Sequence, residues 1–263
     1  MASHLLSRIH TSKTEISPNN LHTIEDELAR RLGLTVDIGG YEEIWTADPI
    51  LSRLPDEMCG ARPASPFSLY EFLVICTVLQ NTTVRRSVQM AEALAHNLGK
   101  AHQFPDGTIL YGFWEPADLV ELGESRLREL RLGYRAKSLV RFSEQFCTKP
   151  NLESELLDVP IDPDRLCTRV REIYGVGPAS AAYIMFEWFK CIDEFQHVSP
   201  WERKILSKLL FDKHDTSATE MIQFCRNRWA PYTMLAVHAV FESVFWRRVQ
   251  GYGPEWLDEL IRL

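Results

Sequence analysis

The chain has 263 residues, 45% of them hydrophobic and 11% aromatic, so it can bury the core of one large domain or of two small ones. Its formal net charge of −7 at pH 7 argues against a protein that binds nucleic acid with its whole surface, but it does not exclude a local basic stripe on an acidic body. Its beginning has no apolar leader segment, and its apolar runs stop short of the roughly 20 residues of a membrane helix, so we expect an intracellular protein without a membrane partner.

The first segment with a recognisable pattern spans residues 33–47, where β-branched and aromatic residues surround a pair of glycines. This mixture predicts a small β-hairpin. The Pro- and Gly-rich stretch at residues 54–66 predicts a boundary. We therefore expect residues 1–60 to form an N-terminal lead-in or partial subdomain and residues 61–263 to form one helical domain.

Most of the remaining chain has the periodicity of amphipathic helices, with apolar residues recurring three, four and seven positions apart. N-cap signals precede several of these segments, as Ser68 does three residues before Glu71. The expected helices span residues 69–80, 133–147, 162–174, 178–190, 200–211, 218–229 and 232–248. The predicted fold class is therefore all-α, apart from the short segment near the N-terminus.

The cysteines argue against a metal centre. The chain has six, and they lie far apart without any C-x-x-C pair. This distribution is typical of buried free thiols rather than of zinc or iron–sulfur ligands. We expect no metal, no other cofactor and no disulfide framework.

Residues 162–190, DPDRLCTRVREIYGVGPASAAYIMFEWFK, predict two helices joined by a tight turn. Asp162 is a suitable N-cap for the first helix, and Pro178 a suitable first residue for the second. The residues of the turn are Gly175, Val176 and Gly177. Unpaired amides at the start of the second helix can donate to a phosphate oxygen without any charged side chain. Taken alone, the pattern also fits an ordinary pair of packed helices.

Four segments of the sequence, taken in their order along the chain, favour a DNA-contacting hairpin over an ordinary pair of packed helices. IYGVGPASAAYIM at residues 173–185 resembles the helix-hairpin-helix of the base-excision DNA glycosylase superfamily. Residues 73–94 and 127–146 resemble segments that precede it in that family, and residues 228–246 are similar to a late helix of the alkylpurine glycosylases. The resemblance covers roughly residues 48–248. It implies a two-lobed helical fold, nearest to the alkylpurine and 8-oxoguanine branches.

The resemblance also implies a function and a partner. Members of the family flip a damaged base out of double-stranded DNA and cut its N-glycosidic bond, and we expect this chain to do so as a monomer. The residues that it implies for DNA contact are Gly175, Val176, Gly177, Ala179, Gln80, Asn81, Tyr134, Arg135 and Lys137. Gln80 and Asn81 match the loop that probes the duplex, although capping of the helix that they follow explains them equally well.

The chain departs from the family at the catalytic position. There an aspartate at the start of the helix after the hairpin stabilises the cationic sugar, whereas this sequence has Ser199. Ser199 and Glu202 form an S-x-x-E pattern, which predicts a capping box and a structural role for both. The alternative is that Glu202 supplies the missing carboxylate as cation stabiliser or water base. Trp201 and His197 are then expected at the base pocket, unless His197 only satisfies a local hydrogen bond.

A second departure concerns the lysine that forms a Schiff base in the bifunctional members. Ala179 occupies that position, so the resemblance implies an enzyme that releases the base without cutting the strand. Two functions lead, namely a monofunctional DNA N-glycosylase and a glycosylase-like protein that recognises lesions or distorted duplex without catalysis. A third, a helical interaction protein without a role on DNA, is disfavoured by the ordered family segments but supported by the net negative charge.

Overall fold

The computed structural model describes residue 9, residues 16–158 and residues 162–261, and this part of the chain is almost entirely helical. The helices are α1 (Pro18–Arg31), α2 (Tyr41–Ala47), α3 (Leu69–Leu79), α4 (Val84–Leu98), α5 (Pro116–Glu129), α6 (Arg135–Thr148), α7 (Leu152–Leu157), α8 (Pro163–Val170), α9 (Pro178–Tyr183), α10 (Pro200–Phe211), α11 (Ala218–Trp229), α12 (Thr233–Val249) and α13 (Glu255–Ile261). Two strands, β1 (Ala101–Gln103) and β2 (Ile109–Tyr111), pair antiparallel. The all-α prediction is confirmed.

Most of the expected helices are present with shifts of one or two residues at their ends, but the helix expected at residues 162–174 ends at Val170, four residues early. α10 and α11 begin and end where the sequence pattern puts them, because Ser199 and Ser217 cap their first turns through their side-chain oxygens. The helix expected at residues 178–190 is divided into α9 and a π-helical turn, Ile184–Trp188. Such turns are rare and often mark functional sites.

The prediction of a β-hairpin at residues 33–47 was wrong. These residues form turns followed by α2, and the sheet lies at β1 and β2 instead. The pattern misled because Tyr41 and Trp45 are four residues apart, which puts both rings on one helical face. Both side chains are buried there.

Two large hydrophobic cores build the two lobes, and a third, smaller one joins α10, α12 and α13. The first core lies among α3 to α9, and the second joins α2 to α10, α11 and α12. The π turn contributes to both, since Met185 and Trp188 pack in the first core and Phe186 in the second. A domain boundary near residue 60 stays a proposal, and Tyr41 and Trp45 pack in the second core. In the described part of the chain no helix combines the length and apolar character needed to cross a membrane.

Candidate active site and nucleic-acid interface

A cleft with a volume of about 810 Å³ opens where the two lobes meet. Its walls are the end of α3 with the loop after it, the hairpin turn with the start of α9, and the segment that leads into α10. The predicted site residues that line it are Gln80, Asn81, Gly175, Gly177, Ala179, His197, Ser199 and Trp201. The fold thus brings into one cavity residues that are up to about 120 positions apart in the chain.

The hairpin turn presents free backbone amides to this cleft. Gly175 has φ +83°, a left-handed conformation that glycine adopts without strain. Within the described residues, the amides of Gly177, Ala179 and Ser180 donate to no protein acceptor. The expectation of a free amide was wrong for Val176, whose N–H donates to the Ile173 carbonyl oxygen at 3.1 Å. The buried Val176 side chain anchors the turn in the first core.

The loop after α3 is held in place by the start of α6. Asn81 is exposed and has φ +44°. The Arg135 guanidinium donates to the backbone carbonyl oxygens of Gln80 and Asn81, and the side-chain nitrogen Nδ2 of Asn81 donates to the Tyr134 hydroxyl at 3.4 Å. Arg135 is buried and supports the loop through these hydrogen bonds, and phosphate contact by it stays a prediction. Lys137 is exposed, and phosphate contact by it stays a prediction.

The capping box predicted at the start of α10 is confirmed. The Ser199 hydroxyl accepts the Glu202 N–H at 3.3 Å, and Glu202 Oε2 accepts the Ser199 N–H at 2.9 Å. The other carboxylate oxygen, Oε1, accepts the Tyr183 hydroxyl at 2.5 Å. Burial, and then the negative charge of Glu202, raise the pKa of Tyr183 well above its usual value, so the phenol stays a donor. The Glu202 carboxylate is therefore held at both oxygens.

Glu202 lies in a small chamber behind the cleft rather than in the cleft itself. The chamber has a volume of about 50 Å³. It shares four lining residues with the cleft, namely Ala179, Tyr183, Glu187 and His197. Ser199 therefore faces the cleft while Glu202, three residues later, faces the chamber. The two cavities are neighbouring parts of one site.

The two residues expected at the base pocket line the site in different ways. The Trp201 ring packs against Phe241 and Phe245, and its Nε1–H donates to the Leu260 carbonyl oxygen at 3.1 Å. It is therefore a fixed wall of the cleft. His197 lines both cavities and makes no hydrogen bond within the described residues, so the local hydrogen bond considered for it is not observed.

Sequence reasoning missed the remaining polar residues of the chamber, namely Tyr183, Glu187, His238 and Glu242. The pKa of Glu187 is raised to about 7. Burial is the largest cause, the positive charge of Lys190 opposes the shift, and the negative charge of Glu242 adds to it. Burial also raises the pKa of Glu242 and lowers that of His238 to about 4. One signal was available: Glu187 and Glu242 each interrupt an otherwise apolar helical stretch.

Replacement of Glu187 by glutamine should stabilise the protein at high pH only. The pKa of Glu187 is higher in the folded protein than in the unfolded chain. As the pH rises from about 4.5 to 7, the unfolded chain therefore loses this proton first. Above pH 7 the folded wild type bears the whole free-energy cost of the buried negative charge. We expect Glu187→Gln to raise the free energy of unfolding by about 1–3 kcal/mol at pH 8 and by much less at pH 5. Urea unfolding at both pH values measures this, and an equal change at each would contradict it.

The described residues hold no group of three or more His, Cys, Asp and Glu side chains arranged to bind a metal ion. The groups that line the site include carboxyl groups, a phenol, imidazoles and backbone amides.

Comparison with known proteins supports the fold. No protein-family model matches the chain, and no curated protein matches it in sequence. Solved structures do match. The structure of MBOgg1 in complex with a low-affinity DNA ligand has a TM-score of 0.72 and 22% identity, and the match covers 88% of this chain and 77% of that one.

Two further neighbours come from different organisms. The 3-methyladenine DNA glycosylase of Archaeoglobus fulgidus has a TM-score of 0.73 and 18% identity, over 90% of this chain and 78% of that one. The Clostridium acetobutylicum 8-oxoguanine glycosylase/lyase, in complex with double-stranded DNA that contains cytosine opposite 8-oxoguanine, has a TM-score of 0.71 and 21% identity, over 87% and 76%. The chain therefore has the fold of the helix-hairpin-helix DNA glycosylases, as its motifs predicted.

Proposed function

We propose that this protein is a monofunctional DNA N-glycosylase that removes a damaged or mismatched base from double-stranded DNA, acting as a monomer inside the cell. The observation that carries the proposal is the composition of one site. The cleft combines free hairpin amides, an exposed loop tip at Asn81 and, in the adjoining chamber, the Glu202 carboxylate. Each of these has a task in extracting a base and cutting its bond to the sugar.

The first task is to hold the DNA strand. The amides of Gly177, Ala179 and Ser180 lie together on the cleft wall, where they can donate to phosphate oxygens. Such a contact needs no basic side chain, which reconciles DNA binding with a net charge of −7. Asn81, at the exposed loop tip that also lines the cleft, then fills the gap that an extruded base leaves in the duplex.

The second task is to stabilise the transition state. When the N-glycosidic bond breaks, its electron pair leaves with the base and the sugar becomes cationic. The N-terminus of α10 is itself partly positive and would repel that cation, so a carboxylate is needed to reverse the local field. Glu202 supplies it. Water then adds to the sugar carbon and loses a proton, the departing base takes up a proton, and an abasic site remains.

The absence of an amine at position 179 defines the product. Ala179 has no nucleophile to form a Schiff base with the sugar, so the strand stays intact after the base has left. The neighbouring structure from C. acetobutylicum is described as a glycosylase/lyase. The proposed reaction of this chain is the glycosylase half alone.

One observation favours the alternative, a protein of the same fold that binds lesions or distorted duplex without cutting. Both Glu202 oxygens already accept hydrogen bonds, one from the Ser199 amide and one from the Tyr183 hydroxyl. If these bonds only cap α10, the carboxylate is structural. The site would then still bind DNA through the hairpin and the loop.

Incubation with a set of damaged duplexes separates the two functions. The set carries uracil, 8-oxoguanine, hypoxanthine or an alkylated purine, and each product is divided and analysed with and without hot alkali. We expect strand breaks at the lesion only after alkali, because the enzyme leaves an abasic site. Breaks without alkali would contradict the monofunctional assignment. Binding of the duplexes with no breaks under either condition would establish the alternative.

A further inference from the structure

Two arginines join the loop after α3 to the turn before α6, one from each side. Arg135, at the start of α6, donates to the backbone carbonyl oxygens of Gln80 and Asn81. Arg86, in the first turn of α4, donates to the backbone carbonyl oxygen of Arg131. We call the two guanidinium groups and the three carbonyl groups that they bind the arginine clasp. Each of the two chain segments therefore both donates to the other and accepts from it.

The backbone has an unusual conformation on both sides of the arginine clasp. Asn81 has φ +44° and Arg131 has φ +65°, so both are left-handed although neither is glycine. Such a conformation costs free energy and persists only where neighbouring groups hold it. The carbonyl group of each residue is bound by the arginine of the opposite segment. The clasp therefore holds two turns that would relax without it.

Arg135 and its neighbour fix both ends of Asn81. The Arg135 side chain is buried, and its guanidinium carbon lies 4.7 Å from the centre of the Tyr134 ring. Because the N–H bonds of a planar guanidinium group have fixed directions, Arg135 orients the carbonyl groups that it binds. The Tyr134 hydroxyl accepts the Asn81 side-chain N–H at 3.4 Å. Asn81 is thus held at its backbone and at its side chain.

The start of α4 fixes the other arginine. The Thr83 hydroxyl accepts the Arg86 N–H at 3.3 Å and caps this helix. The Arg86 backbone is therefore placed by a local cap, while its side chain reaches a residue 45 positions later in the chain. The loop between α3 and α4 is anchored at both of its ends.

We propose that Arg135 and Arg86 are positioning residues, which set the Asn81 loop in the conformation that enters the duplex before any DNA is bound. This inference rests on the proposed function, in which Asn81 fills the gap left by an extruded base. Little free energy is then lost on ordering the loop during binding, because the arginine clasp has ordered it already. Neither arginine needs to touch the nucleic acid for this role.

A double-mutant cycle measures the coupling between Arg135 and Asn81. The ligands are a duplex with a tetrahydrofuran abasic analogue, which has no base to remove, and the same duplex without damage. Their ratio of affinities is the lesion preference, and differences in overall electrostatic attraction cancel from it because the duplexes have equal charge. We expect Asn81→Ala to reduce this preference about tenfold in the otherwise unchanged protein, and less than about twofold in Arg135→Met.

Arg86→Met repeats the cycle at an exposed position, where a substitution has little effect on folding. It removes the bond to the Arg131 carbonyl group, so Asn81→Ala should then reduce the lesion preference less than about threefold. Arg126→Met is the matched control, because Arg126 is also exposed and forms an ion pair with Glu129 on α5. In that variant Asn81→Ala should keep its full effect.

The salt dependence of binding separates positioning from phosphate contact. If Arg135 bound a phosphate, Arg135→Met would weaken the binding of both duplexes alike and make the slope of log affinity against log salt concentration shallower by about one. We expect an unchanged slope and weaker binding of the abasic duplex alone. The result for a phosphate contact would contradict the positioning role of Arg135.

A full effect of Asn81→Ala in both methionine variants would overturn the proposal. The absence of any effect of Asn81→Ala in the otherwise unchanged protein would overturn it as well, since the clasp would have nothing to position. If Arg135→Met does not fold, the cycle with Arg86→Met decides alone. Excision is assayed separately on damaged bases. Excision without coupling would leave the glycosylase assignment standing and remove the clasp, and coupling without excision would do the reverse.

Discussion

Glu202→Gln should lower the rate of base excision by a factor of about 100 to 1,000 while leaving the affinity for damaged duplex within about twofold of the wild type. The change keeps the size of the side chain and one oxygen that can still cap α10, but it removes the negative charge that opposes the cationic sugar. Single-turnover excision on the best substrate of the set measures the rate, and fluorescence anisotropy measures the affinity.

A matched control separates charge from capping. Glu220 occupies the same third position of α11 and donates its backbone N–H to the Ser217 hydroxyl, as Glu202 does to Ser199. Glu220→Gln should therefore leave excision unchanged. If Glu202→Gln cuts at the wild-type rate while Ser199→Ala does not, the catalytic role belongs to Ser199. Tyr183→Phe, which frees Glu202 Oε1, then shows whether the hydroxyl positions the carboxylate through a changed pH profile of the rate.

Gly177→Ala should weaken duplex binding at least about tenfold without destabilising the protein. Gly177 has an extended backbone that alanine also adopts, and nothing lies within 4 Å of the place where its Cβ would be. The folded protein therefore accepts the methyl group. Because alanine also restricts the backbone of the unfolded chain, the substitution should raise the free energy of unfolding by about 0.4–1 kcal/mol. A phosphate group bound to the Gly177 and Ala179 amides would collide with the added methyl group, because the methyl group lies where the phosphate approaches.

Gly60→Ala is the control for this prediction. Gly60 also has open space around its Cβ position and no positive φ, and it does not line the cleft. Its replacement should affect stability in the same way and leave binding unchanged. Anisotropy titrations at several salt concentrations, together with thermal melting, cover both variants. Wild-type affinity in Gly177→Ala would mean that the hairpin turn does not hold the strand.

Much of the fold could be predicted because its signals are local. The bounds of α10 follow from Ser199, Pro200 and Glu202, whose capping interactions span three residues. The hairpin follows in the same way from its glycines and prolines. The prediction failed at residues 33–47, where Tyr41 and Trp45 pack in a core formed with residues far along the chain. A local pattern contains no information about that partner.

The candidate site could be predicted only in part. Gln80, Gly177 and Ser199 were found because each belongs to a motif, and the structure brings them into one cleft. Arg135 belongs to such a motif as well, but packing decides the orientation of its side chain. The guanidinium group turns inward and donates to the carbonyl oxygens of Gln80 and Asn81.

The sequence by itself determined the helices, their caps, the tight hairpin turn and the absence of both aspartate and lysine at the two positions where the family has them. Those features depend on residues within a few positions of one another. Only the tertiary structure decided which side chains share the chamber, since Glu187, Glu202 and Glu242 come from three separate helical segments. The burial of Glu187 and Glu242, which raises the pKa of both carboxyl groups, arises from the packing of helices that are distant in the sequence. A carboxyl group acquires such properties from neighbours in space, and the order of residues along the chain does not specify them.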